Sequence, residues 1–313
     1  MEEKKEGSPL LEIRHLSVCF TQYESLWRQR TVYAVRDLSL SLHAGEVVAV
    51  VGSSGSGKSL LAHAVMGILP YNAHEEGEIL YQGERLTEKK LRKLRGNELV
   101  LVPQSVSYLD PLMQVGEQIR KGKRDEESKK RSLEILARYG LAAETENRYP
   151  FELSGGMIRR ILISSAVMEK PKLVIADEPT PGLHMRAAKR VMGHFRELAD
   201  EGAAVLLITH DLELALTAAD RIVVLYAGME LEEAKASDFR EESHLRHPYS
   251  KALFRAMPRN GFQVTAGNQP YGRAAESACP YAARCEYCQE SCSQQKIETR
   301  TLRGGRVRCL LAE

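Results

Sequence analysis

Apolar and polar residues alternate along residues 10–20 and again along 35–42, the period of half-buried strands, so the chain opens with a β-rich layer. Residues 22–31, between the two runs, break the alternation and are expected to form an inserted loop. Residues 45–59 then give an aliphatic strand, a glycine turn and a helix start, and the apolar helical pattern continues over 60–69 until Pro70 ends it. From 89 to 149 the pattern turns helical and charge-rich, densest over 121–131, which predicts a solvated surface. Short aliphatic strands at 173–175 and 204–208, separated by a helical stretch over 186–201, have the βαβ rhythm of a parallel sheet. After Arg259 glycine, polar residues and cysteines replace any regular period, and the boundary of a small C-terminal module is placed there.

With 313 residues the chain exceeds the roughly 250–300 at which a single core stops growing, so one large α/β domain with an appendage is expected. A 43% hydrophobic content is enough for a sizeable core. A formal charge of +2 supplies no overall field that would attract nucleic acid, so any anion site must be local. No apolar run approaches the roughly 20 residues needed to cross a bilayer, and residues 1–8 are charged rather than apolar. Membrane attachment would therefore depend on partners. Five of the six cysteines, Cys279, Cys285, Cys288, Cys292 and Cys309, crowd the tail, which in a reducing compartment argues for metal ligation over disulfides. Cys19 stands apart as a packing residue.

Gly52-Ser53-Ser54-Gly55-Ser56-Gly57-Lys58-Ser59 fills every position of a phosphate-binding P-loop. Its glycines let backbone amides curl around phosphates at a helix N-terminus, Lys58 neutralises β/γ-phosphate charge, and the Ser59 hydroxyl can ligate magnesium. Downstream an apolar strand ends in Asp177 and Glu178: the first would hold magnesium, the second would orient or deprotonate the attacking water. His210 ends the next strand, at the same edge, where it can hydrogen-bond a γ-phosphate.

Those parts describe a P-loop ATPase of some kind. Leu153-Ser154-Gly155-Gly156 resembles the signature motif of ABC ATPases, and Gln104 in Val102-Pro103-Gln104-Ser105 resembles that family's Q-loop. Walker A, Q-loop, signature, Walker B and switch histidine occur in the family's order over about residues 11–227. The resemblance implies a mixed RecA-like core, an N-terminal antiparallel β layer and a helical subdomain over about 89–165, all within 1–259, with a Cys-rich extension at 260–313. It also implies that Ser154, Gly155 and Gly156 grip the γ-phosphate of ATP bound to an opposite subunit, so two cassettes sandwich two nucleotides. An aromatic near the start would stack on adenine, Phe20 or Tyr23, with Trp27 and Tyr33 as rivals. Gln104 would contact magnesium and the attacking water and sense membrane subunits.

Two positions depart from the family's pattern. His184 stands where an aspartate is usual, in the loop by which the two ATP sites normally communicate, and Arg159 stands where glutamine is common. Neither removes a residue from this chain's own Walker motifs.

His247-Pro248-Tyr249-Ser250-Lys251-Ala252-Leu253 resembles the segment that follows the cassette in peptide and nickel importer ATPases. Cys279, Cys285, Cys292 and Cys309 match the cysteine positions of that branch's extension, for which the resemblance suggests a [4Fe-4S] cluster. Four thiolates equally suit zinc, and Cys279, Cys285, Cys288 and Cys292 form a rival set. The expected protein is an import ATPase for peptides or nickel on the cytoplasmic face of the cell membrane. It would pair with a second ABC ATPase and two permeases, and indirectly with an extracellular binding protein. The competing class, a soluble ABC ATPase of DNA repair or translation, usually carries two cassettes or a long coiled-coil insertion, and neither is present. The basic residues also form no nucleic-acid stripe. An exporter cassette would usually come fused to membrane helices.

Overall fold

A computed structural model describes residues 7–25, 28–270 and 278–313. Its strands are β1 (Leu11–Ser25), β2 (Arg28–Leu42), β3 (Val47–Val51), β4 (Ala73–Tyr81), β5 (Glu84–Arg85), β6 (Leu99–Val102), β7 (Leu173–Asp177), β8 (Ala204–Thr209), β9 (Arg221–Tyr226), β10 (Met229–Lys235), β11 (Arg300–Leu302) and β12 (Gly305–Val307). The α-helices among the described residues are α1 (Lys58–Met66), α2 (Glu88–Leu94), α3 (Val115–Ile119), α4 (Glu126–Arg138), α5 (Gly155–Val167), α6 (Met185–Asp200), α7 (Leu212–Ala215), α8 (Pro248–Ala256) and α9 (Ser291–Gln294).

Among the described residues the strands form a four-stranded sheet in the order β2-β1-β4-β5 and an eight-stranded sheet in the order β11-β12-β10-β9-β3-β8-β7-β6. The smaller sheet is antiparallel. In the larger, β6, β7, β8, β3 and β9 run parallel, and β10, β12 and β11 continue it antiparallel.

The continuous aliphatic runs of the parallel strands follow from burial on both faces. Val48 and Val50 of β3, Leu173 and Ile175 of β7, and Leu206 and Ile208 of β8 join one apolar core with the antiparallel layer and α1. Their neighbours Val47, Ala49, Val174, Ala176, Val205 and Leu207 face the opposite way, into a core shared with α6. A third, smaller core, including Val115, Ile119, Leu136 and Ile161, lies among α3, α4 and α5.

Three expectations change. The described part of 22–31 is strand rather than loop: β1 and β2 keep pairing, Thr21 with Thr31 and Ser25 with Arg28, in a ribbon longer than the apolar alternation that marks only its buried part. Helix α1 stops at Met66, because Gly67 takes a left-handed C-cap (φ 60°) whose N–H bonds Ala64 O, before Pro70 is reached. The charge-rich segment hides β6, whose four residues Leu-Val-Leu-Val form the edge of the parallel sheet.

Candidate functional site

Four parallel strands end at one edge, and each delivers one of the expected groups: β3 leads into the P-loop, β6 into Gln104, β7 into Asp177 and Glu178, β8 into His210. Ligands of open α/β sheets bind outside such carboxyl ends. A cavity of about 800 Å³ lies there, lined by Gly52, Ser53, Ser54, Gly55, Gly57, Lys58 and Ser59 and by Gln104, Glu178 and His210. Ser56 lies buried just beneath.

Two glycines make the loop possible. A Cβ on Gly52 would stand 2.1 Å from Leu225 O, and Gly57 (φ 92°) combines a left-handed backbone with a Cβ position only 2.3 Å from Ala34 O. Side chains there would push the P-loop off the sheet. Lys58 Nζ donates to the carbonyls of Gly52 (2.9 Å) and Ser53 (3.0 Å), so the ammonium already curls over the loop. Burial lowers its pKa, opposed by the carboxylates of Glu178 and Asp177. The negative charge of an incoming triphosphate would offset that cost.

Ser59 Oγ donates to Asp177 Oδ1 at 3.2 Å, and burial raises the Asp177 pKa. A hydroxyl and a carboxylate converging in this way are hard oxygen donors that fit magnesium, and the cation would offset the raised pKa. Glu178 has a positive φ of 46°, rare for a bulky residue, and its N–H bonds Ile208 O at 2.9 Å. Its two carboxylate oxygens lie 2.9 Å from His210 Nδ1. In this structure, then, His210 holds the carboxylate that was expected to act on water.

Phe20 and Tyr33 both line the cavity, whereas Trp27 and the side chain of Tyr23 lie outside what is described. The Arg36 guanidinium carbon sits 4.6 Å from the Tyr33 ring centre, so one face of that ring is already covered. Ser154 caps α5, its Oγ accepting from Met157 N at 3.4 Å, and with Gly155 it is exposed. None of Ser154, Gly155 and Gly156 lines the cavity.

Sequence reasoning missed the C-terminal wall. Tyr249, Leu253, Gln269 and Pro270 line the same cavity as Ser53, and Ser53 hydrogen-bonds Gln269. The turn at His247-Pro248-Tyr249 was recognisable as a sequence marker, but nothing in it announced contact with a loop some 200 residues earlier. Tyr249 packs against Tyr226 and Tyr281, with ring centres 4.5 and 5.1 Å away.

Matches to known families cover both halves of this arrangement. Residues 35–181 match the ABC transporter family, and residues 231–292 match the oligopeptide/dipeptide transporter C-terminal region. The oligopeptide transport ATP-binding protein OppD of Haemophilus influenzae is 34% identical over 303 residues, 91% of this chain and 92% of that protein. The chain belongs to the ABC transporter ATP-binding family, in its oligopeptide/dipeptide branch. The dipeptide transport ATP-binding protein DppD of Bacillus subtilis is 35% identical over 88% of this chain and 86% of its own length. Among solved structures, the dimeric ATP-binding cassette MJ0796 in a post-hydrolysis state with ADP and Pi superposes with a TM-score of 0.63 at 28% identity, over 72% of this chain and 98% of that one. The fold is that of an ABC ATPase cassette, and the enzyme is an ABC-type ATPase. No helix among the described residues is long and apolar enough to cross a membrane.

In the tail of this ABC ATPase, Cys279, Cys285, Cys292 and Cys309 interact electrostatically with one another, whereas Cys288 is exposed. Burial pushes the Cys279 thiol up to about 12 and raises those of Cys285 and Cys309. No three His, Cys, Asp or Glu among the described residues already stand at the spacing of metal ligands. The thiols are gathered but not closed around a common point.

Proposed function

We propose that this cassette hydrolyses ATP to drive uptake of peptides through separate permease subunits, from the cytoplasmic face of the membrane. The observation that carries the reading is the convergence of Lys58, the Ser59–Asp177 pair and the His210–Glu178 pair at one sheet edge. Peptide is preferred to nickel as cargo because the relatives described above are oligopeptide and dipeptide transport proteins.

The chemistry assigned to each group follows from its place. Lys58 and the P-loop amides hold the β- and γ-phosphates. Ser59 and Asp177, with Gln104 on the same side, are the residues that would hold magnesium, and the ion would supply positive charge to offset the negative charge developing on the phosphates. Glu178 accepts a hydrogen bond from the attacking water and orients it in line with the γ-phosphate, while His210 fixes the carboxylate. Phe20 supports the base, with Tyr33 the described alternative. Ser154, Gly155 and Gly156, at the N-terminus of α5 with the first two exposed, serve the nucleotide of a second cassette.

Residues 1–259 form the cassette in this reading and 260–313 the extension. A groove lined by Met66, Leu101, Pro103, Tyr108, Leu109 and Met113 lies beside Gln104, and Tyr108 on its wall is 58% exposed. An apolar groove next to the Q-loop suits a permease segment. The gathered thiols of Cys279, Cys285, Cys292 and Cys309 favour that set over the one containing Cys288 as holders of a [4Fe-4S] cluster, whose positive iron charge would stabilise the thiolates that burial disfavours.

Two measurements test the reading. ATP turnover by the isolated chain should be low and rise with protein concentration, and rise again with the partner cassette and permeases. Concentration-independent full activity from a proven monomer would overturn the sandwich. Protein purified anaerobically should be brown, with iron and acid-labile sulfide lost together in Cys285→Ser; stoichiometric zinc without sulfide would replace the cluster with a zinc module.

A further inference from the structure

Arg159, in the second turn of α5, is buried, with only 6% of its surface exposed. Its Nη1 donates to the Glu178 carbonyl at 2.9 Å and its Nη2 to the Gln104 carbonyl at 2.9 Å. One guanidinium thus joins the backbones of two residues that come from different strands, β7 and β6. Burial lowers the Arg159 pKa while the Glu178 carboxylate opposes that shift, so the cation sits close to the reacting end of the site.

The same helix also runs close to the same segment at Gly156, where an added Cβ would stand only 3.3 Å from the Leu183 side chain. Leu183 belongs to the loop that begins at Glu178 and ends at His184. In place of the usual aspartate, His184 spends its Nδ1 on capping α6, accepting from Ala187 N at 3.4 Å. The loop by which two ATP sites would normally communicate therefore has its polar group turned inward, onto its own helix.

We propose that Arg159 is a positioning residue that couples the two nucleotide sites of the sandwich, fastening the helix that serves the opposite ATP to the residues that serve this chain's own. The inference rests on the roles assigned above to Gln104, Glu178 and the signature residues. Helix α5 moves as a rigid element, so a tilt imposed when Ser154, Gly155 and Gly156 engage a phosphate carries Arg159 with it. Both carbonyls follow, and with them the two side chains that bracket the attacking water. The left-handed backbone of Glu178 needs such restraint, since a conformation of this kind persists only where its surroundings over-determine it. Two bonds supply it, Glu178 N–H to Ile208 O and Arg159 to Glu178 O. Only arginine does this well: its planar fork carries two donors to two separate acceptors, whereas lysine offers a point charge and glutamine one shorter amide.

The test uses the assembled transporter for turnover and the full isolated chain for nucleotide binding and hydrogen exchange. R159A should lower kcat roughly ten- to a hundredfold, as small misplacements of reacting groups do, with KM for ATP and the affinity for a fluorescent ATP analogue within about twofold of the parent. R159K should fail to restore kcat despite keeping the charge, and R159Q should fall between. Amides near Gln104 and Glu178 should exchange faster in both R159A and R159K. A kcat within about twofold of the parent in R159A, where E178Q has lost turnover, overturns the clamp alone; full turnover in both R159A and E178Q overturns the assigned roles and the clamp together. If R159A is insoluble, R159K, which keeps the charge and most of the volume, makes the same discrimination.

Discussion

Glu178→Gln is expected to leave ATP binding intact and to lower turnover by roughly a hundredfold or more, while Lys58→Ala weakens nucleotide binding itself. The separation follows from where the two side chains act. Lys58 lies along the P-loop, bonded to the Gly52 and Ser53 carbonyls, and its charge is the one a triphosphate meets first. Glu178 stands across the cavity with its carboxylate on His210 Nδ1. Glutamine there keeps the shape and one acceptor but gives up the charge that orients and polarises water. Equilibrium binding of a fluorescent ATP analogue and steady-state phosphate release in the assembled transporter separate the two outcomes. Wild-type turnover by Glu178→Gln would remove the assigned role of Glu178.

Much of that site was legible in the chain because each part is local. The P-loop, the strand ending in Asp177 and Glu178, and the strand ending in His210 are contiguous stretches in which periodicity and motif coincide. The parallel sheet then had to bring their ends together, because residues buried on both faces leave few other arrangements. Long-range pairings were not legible. β12 reaches β10 from more than seventy residues away in sequence, through Glu232 opposite Val307. Three short residues of strand give no detectable period, so the tail read as irregular. The contact of Gln269 with Ser53 spans 216 residues and depends on how α8 lies over the sheet. Arg159 was visible as a departure from the family's glutamine, but its two carbonyl partners belong to the fold rather than to any motif. The ribbon formed by the described residues of 22–31 was misread for a related reason: its backbone pairs as far as Ser25 with Arg28, yet the sequence there carries few apolar side chains to mark a buried face.

The largest loss of stability is expected from Arg246→Ala, about 3–5 kcal/mol, the usual cost of removing one partner of a buried ion pair. The Arg246 side chain is 2% exposed and that of Glu232 0%, with Nη1 3.1 Å from Glu232 Oε1 and 3.0 Å from Asp238 Oδ2. The same guanidinium donates through Nε to the Leu302 carbonyl at 2.7 Å and through Nη2 to the Arg303 carbonyl at 2.6 Å, so it pins the turn between β11 and β12 to the rest of the sheet. Alanine would leave a buried carboxylate and two backbone carbonyls without this donor. Glu232 itself accepts from the backbone N–H groups of Arg246 and His247, at 3.0 and 2.8 Å, so its own removal is not harmless. Adding Glu232→Gln to Arg246→Ala should therefore recover part of the loss: the amide oxygen still accepts a backbone N–H, and no unpaired charge remains in the interior. Urea unfolding of the four proteins of this cycle measures the recovery. If Arg246→Ala cost less than about 1 kcal/mol, or if Glu232→Gln deepened the loss, the buried charge would not be what anchors the tail.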